Sequence, residues 1–301
     1  MRSIIKDVFP VLLAILIPLV SFTTGLQAPR PEQGERRLWQ RPEELGRDLL
    51  AVLIIVPLWA LLLVAFLPVS PFVRAGLLIA VLSVGIGPAA AMKRMGAAAP
   101  NSREALDLNL IVLVLSLLFV PVAFAGAAAL FHRDLHIGVG AVAKVVIGRA
   151  LLPLLLGVGA ARLFPRAAAA AGPVLAKIET IVLLLVVLLA FIATWKFLLG
   201  VGAVGWAVAA AVVLGAIVVG HLLGGHDPGS RGVVAAASAM RFPALALALA
   251  QVMPQRERII PVVLVYVILS LVGIAIYGAI MTRRSKHEAL PTPIHVLPQR
   301  A

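Results

Sequence analysis

The chain alternates long apolar blocks with short polar connections. Blocks fall at about 4–26, 48–67, 72–92, 105–131, 137–164, 173–195, 197–223, 232–252 and 259–281. A membrane-spanning helix needs about 20 mostly apolar residues. Nine blocks reach that length, so the pattern predicts an all-α polytopic membrane protein with nine spans. The first block has the charged start of a signal peptide. It is long, however, and no A-x-A cleavage site follows, so it reads as an uncleaved span.

The one long hydrophilic insert, residues 27–47, reads QAPRPEQGERRLWQRPEELGR. Its arginines, Arg30, Arg36, Arg37, Arg41 and Arg47, follow the first span. Lys93, Arg94 and Arg103 follow the third span, Arg162 and Arg166 the fifth, His226 and Arg231 the seventh, and Arg283, Arg284 and Lys286 the ninth. The alternate connections hold little besides Arg74, Arg133, Lys196, Arg256 and Arg258. Basic residues collect on the cytoplasmic side of spans. The expected arrangement is one integral membrane domain over 1–301 in the plasma (inner) membrane. The N-terminus would lie outside, and the 27–47 connection and the 283–301 tail would be cytoplasmic.

Two spans are interrupted. The third contains SVGIGPAAAM and the eighth contains AASAMRFPALALALA. Each places a proline (Pro88, after Gly87, and Pro243) near the middle of a helix rich in small residues. Interrupted helices in corresponding positions of two oppositely oriented halves point to a transporter binding site. Small-residue runs also let helices cross closely.

Composition supports the membrane class: 62% of residues are apolar and 13% charged, with a mean hydropathy of +1.08. A soluble domain is about half apolar and about a quarter charged. Cysteine is absent, which excludes disulfides, thiolate metal sites and a Cys nucleophile. The net charge of +13 is accounted for mostly by cytoplasmic loops, without nucleic acid. No metalloprotease, serine-hydrolase, Walker A or dinucleotide motif occurs, so enzyme chemistry is not expected.

The informative charges lie inside the spans. Arg241 is the only charge between Gly232 and Val252. An arginine at a helix centre costs about 2.5–3.5 kcal/mol on the insertion scale. Pro243 follows two residues later, and its missing N–H leaves the Ala239 carbonyl unpaired in a regular helix. Irregular backbone at membrane depth survives only where protein or a polar cavity covers it. Arg241 and Pro243 therefore mark one polar site; the alternative is a structural arginine held by carbonyls. Lys93 and Arg94 either flank the cytoplasmic mouth of the third span or line the cavity behind Gly87-Pro88. Asp107 is either a first-turn acid beside an Asn101–Glu104 capping box or a counter-charge to Lys93 or Arg94. Arg149 lies halfway along the fifth span, Lys144 can snorkel outward, and Glu179 and His221 read as interfacial. The balance favours an anionic substrate.

Together, PEELGRDLLAVLIIVPLWALLL, LSVGIGPAAAMKRMG, ASAMRFPALALALAQVMP and LVYVILSLVG resemble the bile acid:sodium symporter family in its nine-span form. The resemblance implies inverted repeats, a core domain with two crossing discontinuous helices, a panel domain, and secondary transport of organic anions, commonly driven by sodium. Against the family pattern, the Ser and Asn that would help bind sodium fall on Lys93 and Arg94. A hydroxyl ligand falls on Asp107. The Glu-Thr-Gly-Met-Gln-Asn run becomes Ala237-Ser238-Ala239-Met240-Arg241-Phe242. The acidic ligand is lost and the Gln becomes Arg241. The expectation is an alternating-access carrier of a small organic anion without a cofactor, whose sodium coupling is in doubt because fixed cations occupy the ion positions. The rivals are a proton-linked or cation antiporter, which would need a buried titrating acid in the crossing helices, and a non-transporting receptor or assembly subunit.

Overall fold

A computed structural model describes residues 2–28, 37–84, 102–131, 144, 146–253 and 255–288, and every regular element among them is helical. Helix α1 covers Arg2–Leu26. A 3-10 turn, Leu38–Gln40, leads into α2, Pro42–Leu49; a π-helical turn, Leu50–Ile55, joins α2 to α3, Val56–Phe66. Helix α4 is Pro71–Leu82 and α5 is Ser102–Phe131. A second π turn, Val146–Leu151, enters α6, Leu152–Leu163, and α7 is Pro165–Leu199. The chain continues as α8, Gly202–Leu223, α9, Pro228–Ala239, α10, Pro243–Val252, and α11, Arg256–Glu288.

Among the described residues, seven segments are long and apolar enough to cross a membrane, with α2–α3 and α9–α10 each counted as one. Two shorter apolar helices, Ala14–Leu26 and Pro71–Leu82, lie on the first and third predicted spans. The predicted boundaries shift where a polar turn belongs to a helix. Pro42, Glu43 and Glu44 suit a helix N-terminus by geometry and dipole, so α2 begins at Pro42, inside the insert read as a connection. At α8 the shift is opposite. Gly202 has φ +71, a conformation that costs glycine little, and it delays the helix start from the predicted 197 to 202.

The helices pack as two groups joined by α7, which lies on both α1 and α11. In one, α1 lies on α6 and α7. Gly25 and Gly157 face each other there: a Cβ on Gly25 would meet the Leu154 carbonyl, and one on Gly157 would meet the Phe22 carbonyl. In the other, α9 packs on α8, α4 and α10 pack on α11, and α3 packs on α8. Gly220 of α8 sits directly on the backbone of Ala235 in α9, the close crossing expected of small-residue helices. The apolar window of α9–α10 is 89% buried and that of α7 only 17%. The broken helix is therefore the centre of the bundle, and α7 presents Ile181, Leu184 and Leu188 outward, as a lipid-facing helix does.

Candidate functional site

The eighth predicted span is broken where its sequence indicated. Helix α9 ends at Ala239, Met240–Phe242 leave helical geometry, and Pro243 opens α10. The Met240 N–H closes the last turn on the Ala236 carbonyl at 2.8 Å. The Phe242 N–H donates to the carbonyl of Ser83 at 2.9 Å. Ser83 is the residue at which α4 stops, so the two interrupted helices meet through their backbones. The third span leaves helical geometry at Ser83, ahead of Gly87 and Pro88. Gly87, Pro88, Lys93 and Arg94 themselves lie outside the described residues.

Pro243 and Pro57 each leave a carbonyl without its usual donor, and a buried side chain supplies one. The Tyr266 hydroxyl of α11 donates to the Ala239 carbonyl at 2.8 Å. Arg241 Nη1 donates to the Val52 carbonyl at 2.8 Å. In the π register of Leu50–Ile55, where the Val56 N–H bonds to Ala51, the next donor for Val52 would be residue 57. That residue is Pro57, which has no N–H. Tyr266, Ser83 and Pro57 were not singled out by the sequence reading. Pro57 carried the signal, because the reasoning applied to Pro243 holds for any mid-span proline.

Arg241 is 3% exposed, and its Nε and Nη2 have no hydrogen-bond partner. Ser238 and Met240 are buried beside it in sequence, and Ser238 Oγ is also without a partner. Asn109 of α5 is fully buried with both amide atoms unpartnered. A buried polar group without a partner costs about 1–3 kcal/mol. Arg241 and Ser238 therefore leave hydrogen-bonding capacity unused at the break.

Asp107 belongs to a different cluster. It is 1% exposed; its Oδ1 pairs with Arg37 Nη1 at 2.7 Å, and its Oδ2 accepts the Leu38 N–H at 3.2 Å. Its counter-charge is Arg37 of the insert; Lys93 and Arg94, the partners expected, lie outside the described residues. Glu104, expected in a capping box, accepts from Ser230 Oγ of α9 at 2.7 Å and lies 3.8 Å from Arg41 Nη2. Arg41 also pairs with Glu44 at 2.6 Å. These contacts tie the insert to the starts of α5 and α9. Asp48 is buried close to this cluster in sequence, with Oδ2 unpartnered.

The remaining intramembrane charges differ in burial. Arg149 and Lys144 are exposed. Glu179, expected at an interface, is buried. His221 is half-buried, with Nδ1 2.8 Å from the Tyr277 hydroxyl.

The family model for the Sodium Bile acid symporter family matches residues 9–201. No curated protein matches the chain. The matched segment runs from α1 to the turn before α8 and includes α4. Helices α9 and α10, with Arg241, follow it. The match spans nearly two-thirds of the sequence and falls on apolar helices long enough to cross a membrane; this multi-pass membrane protein belongs to the sodium bile acid symporter family.

Proposed function

We propose that the protein is a secondary carrier of a small organic anion that works by alternating access, with the guanidinium of Arg241 standing where a coupling sodium ion would otherwise be held. One observation carries the reading. Arg241 sits in the gap between α9 and α10, and its Nη1 is bonded to the Val52 carbonyl. Helices α4 and α9 both end at this gap. The C-terminal end of a helix bears a partial negative charge, and sodium or a guanidinium can answer it equally well.

Among the described residues, those at the gap do not fit a sodium ion. The Val52 carbonyl, an oxygen suited to sodium, is already taken by Arg241. Ala237 offers no side-chain oxygen where the family pattern has an acid. Two like charges 4 Å apart repel by about 4 kcal/mol at an effective dielectric near 20. The fixed cation also gives the bundle centre a positive character, which favours an anionic substrate. The plasma-membrane location, the cytoplasmic placement of the arginine-rich connection and the external N-terminus belong to this same reading and rest on the distribution of Lys and Arg.

The test is a titration of purified protein with sodium against choline at constant ionic strength, following thermal stability. A ligand that binds only the folded state adds about 2.7 kcal/mol at a hundred times its dissociation constant. The expected result is no difference between the two cations in the native protein and a sodium-specific rise in Arg241→Gln. A saturable sodium-specific rise in the native protein would overturn the fixed-cation reading. Organic-anion flux into proteoliposomes without a sodium gradient tests the carrier reading separately.

A further inference from the structure

We propose that Asp48 is a reversible proton-binding site, holding one proton where the polar end of α2 meets the first turns of α5 and α9. Helix α2 reads PEELGRDL, and Asp48 is its one buried residue. Its side chain is turned into the protein just before the apolar run that starts at Leu49. Asp48 is 3% exposed, and Oδ2 has no hydrogen-bond partner. Among the described residues, no arginine or lysine lies within ion-pair distance of it.

The charged groups that act on Asp48 are Glu104 of α5, Glu44 and Arg47 of α2, and Arg41 just before α2. The turns flanking α2 carry no titratable side chain. Helix α8 also packs on α2, and its one titratable residue, His221, is engaged with Tyr277. At the start of α9, Asp227 accepts the Ser230 N–H and Arg231 Nε donates to the Gly225 carbonyl.

Neither arginine is given over to Asp48. Arg41 pairs with Glu44 at 2.6 Å and lies 3.8 Å from Glu104, itself buried and bonded to Ser230. Arg47 adjoins Asp48 in the chain, and adjacent helix residues do not share a face. Three carboxylates therefore stand against two guanidiniums. A buried carboxyl without a partner neutralises itself by taking a proton, and a second carboxylate nearby strengthens that demand. One proton on Asp48 Oδ2 balances the five groups. Among the described residues no set of acids and histidines gathers as a metal ion would require. On release of the proton, Asp48 would compete with Glu44 and Glu104 for Arg41. The site would thus make the clasp between the insert, α5 and α9 sensitive to pH.

The test is infrared difference spectroscopy on purified full-length protein, taken between neutral and alkaline pH in potassium buffer. Sodium is absent and Arg241 is intact, so the outcome is independent of the fixed-cation test. The expected result is a protonated-carboxyl band at neutral pH that disappears reversibly on alkalinisation. It should be absent from Asp48→Asn. In Glu104→Gln, which keeps an acceptor for Ser230 but removes the neighbouring charge, the band should disappear at a pH lower by about one unit or more. If Asp48→Asn fails to fold, the Glu104→Gln titration decides. A native protein with no such band would overturn the proposal. So would a band unchanged in Asp48→Asn or unmoved in Glu104→Gln.

Discussion

The Tyr266 hydroxyl lies 2.8 Å from the carbonyl of Ala239, the group that Pro243 leaves without an N–H partner. Tyr266 is buried on α11, which packs directly on α10. A helix break at the centre of a bundle is thus closed by a side chain from a neighbouring helix, in the way that irregular backbone at membrane depth requires. Arg241 and Val52 repeat the arrangement at the same break, with Pro57 in the part of Pro243.

Tyr266→Phe keeps the ring and removes the donor. The Ala239 carbonyl is then buried without a partner, at a cost of about 1–3 kcal/mol. The loss should appear as a lower midpoint in SDS-induced unfolding. An unchanged midpoint would mean that another donor reaches Ala239.

Pro57→Ala and Arg241→Gln should be coupled. In the native sequence, loss of the guanidinium removes the donor that Pro57 cannot provide. With alanine at position 57, a backbone N–H becomes available to Val52, and Arg241→Gln should then cost less. A double-mutant cycle on unfolding free energy should return a coupling of about 0.5–3 kcal/mol, the usual range for residues that share a partner. Strict additivity would sever the link between Pro57 and Arg241.

Much of this centre was legible in the sequence because its signals are local. A lone arginine between Gly232 and Val252, two residues before a proline, marks a broken polar helix wherever the helix packs. The partners were not legible. Tyr266 and Val52 lie far from residues 239–241 in the chain, and nothing in apolar periodicity says which carbonyl an arginine will meet. Asp107 shows the same limit: its charge was recognised, but Arg37 is 70 residues away in a connection read as cytoplasmic. The start of α2 at Pro42 was missed because hydropathy registers only the apolar part of a helix, whereas its polar first turn is specified by proline and acids.

Arg37→Ala should destabilise the protein more than removal of an exposed arginine would. Asp107 is 1% exposed and, among the described residues, retains only the Leu38 N–H as a hydrogen-bond donor once Arg37 is gone. Removing one partner of a buried pair costs about 3–5 kcal/mol; the Arg37 side chain is 22% exposed, so the loss should fall toward or below the lower end. Arg37→Ala with Asp107→Asn should recover part of the stability, because no uncompensated charge remains. Unfolding midpoints of the two single variants and the double variant check this. No recovery in the double variant would mean that Asp107 acts mainly by holding the Leu38 N–H.

The contact between the two broken helices can be locked. The Phe242 N–H and the Ser83 carbonyl are 2.9 Å apart, which places the two residues close to the separation that a disulfide spans, usually 4.4–6.8 Å between Cα atoms. The chain has no cysteine, so Ser83→Cys with Phe242→Cys introduces the only pair that can form. Oxidation should produce an intramolecular cross-link, visible as a mobility shift that reductant reverses. If α4 and α9–α10 move together as one body, transport should survive the cross-link. If the carrier cycle separates them, oxidation should stop flux and reductant should restore it. Both flux outcomes require the link to form, and failure to form it under oxidising conditions would refute the crossing itself.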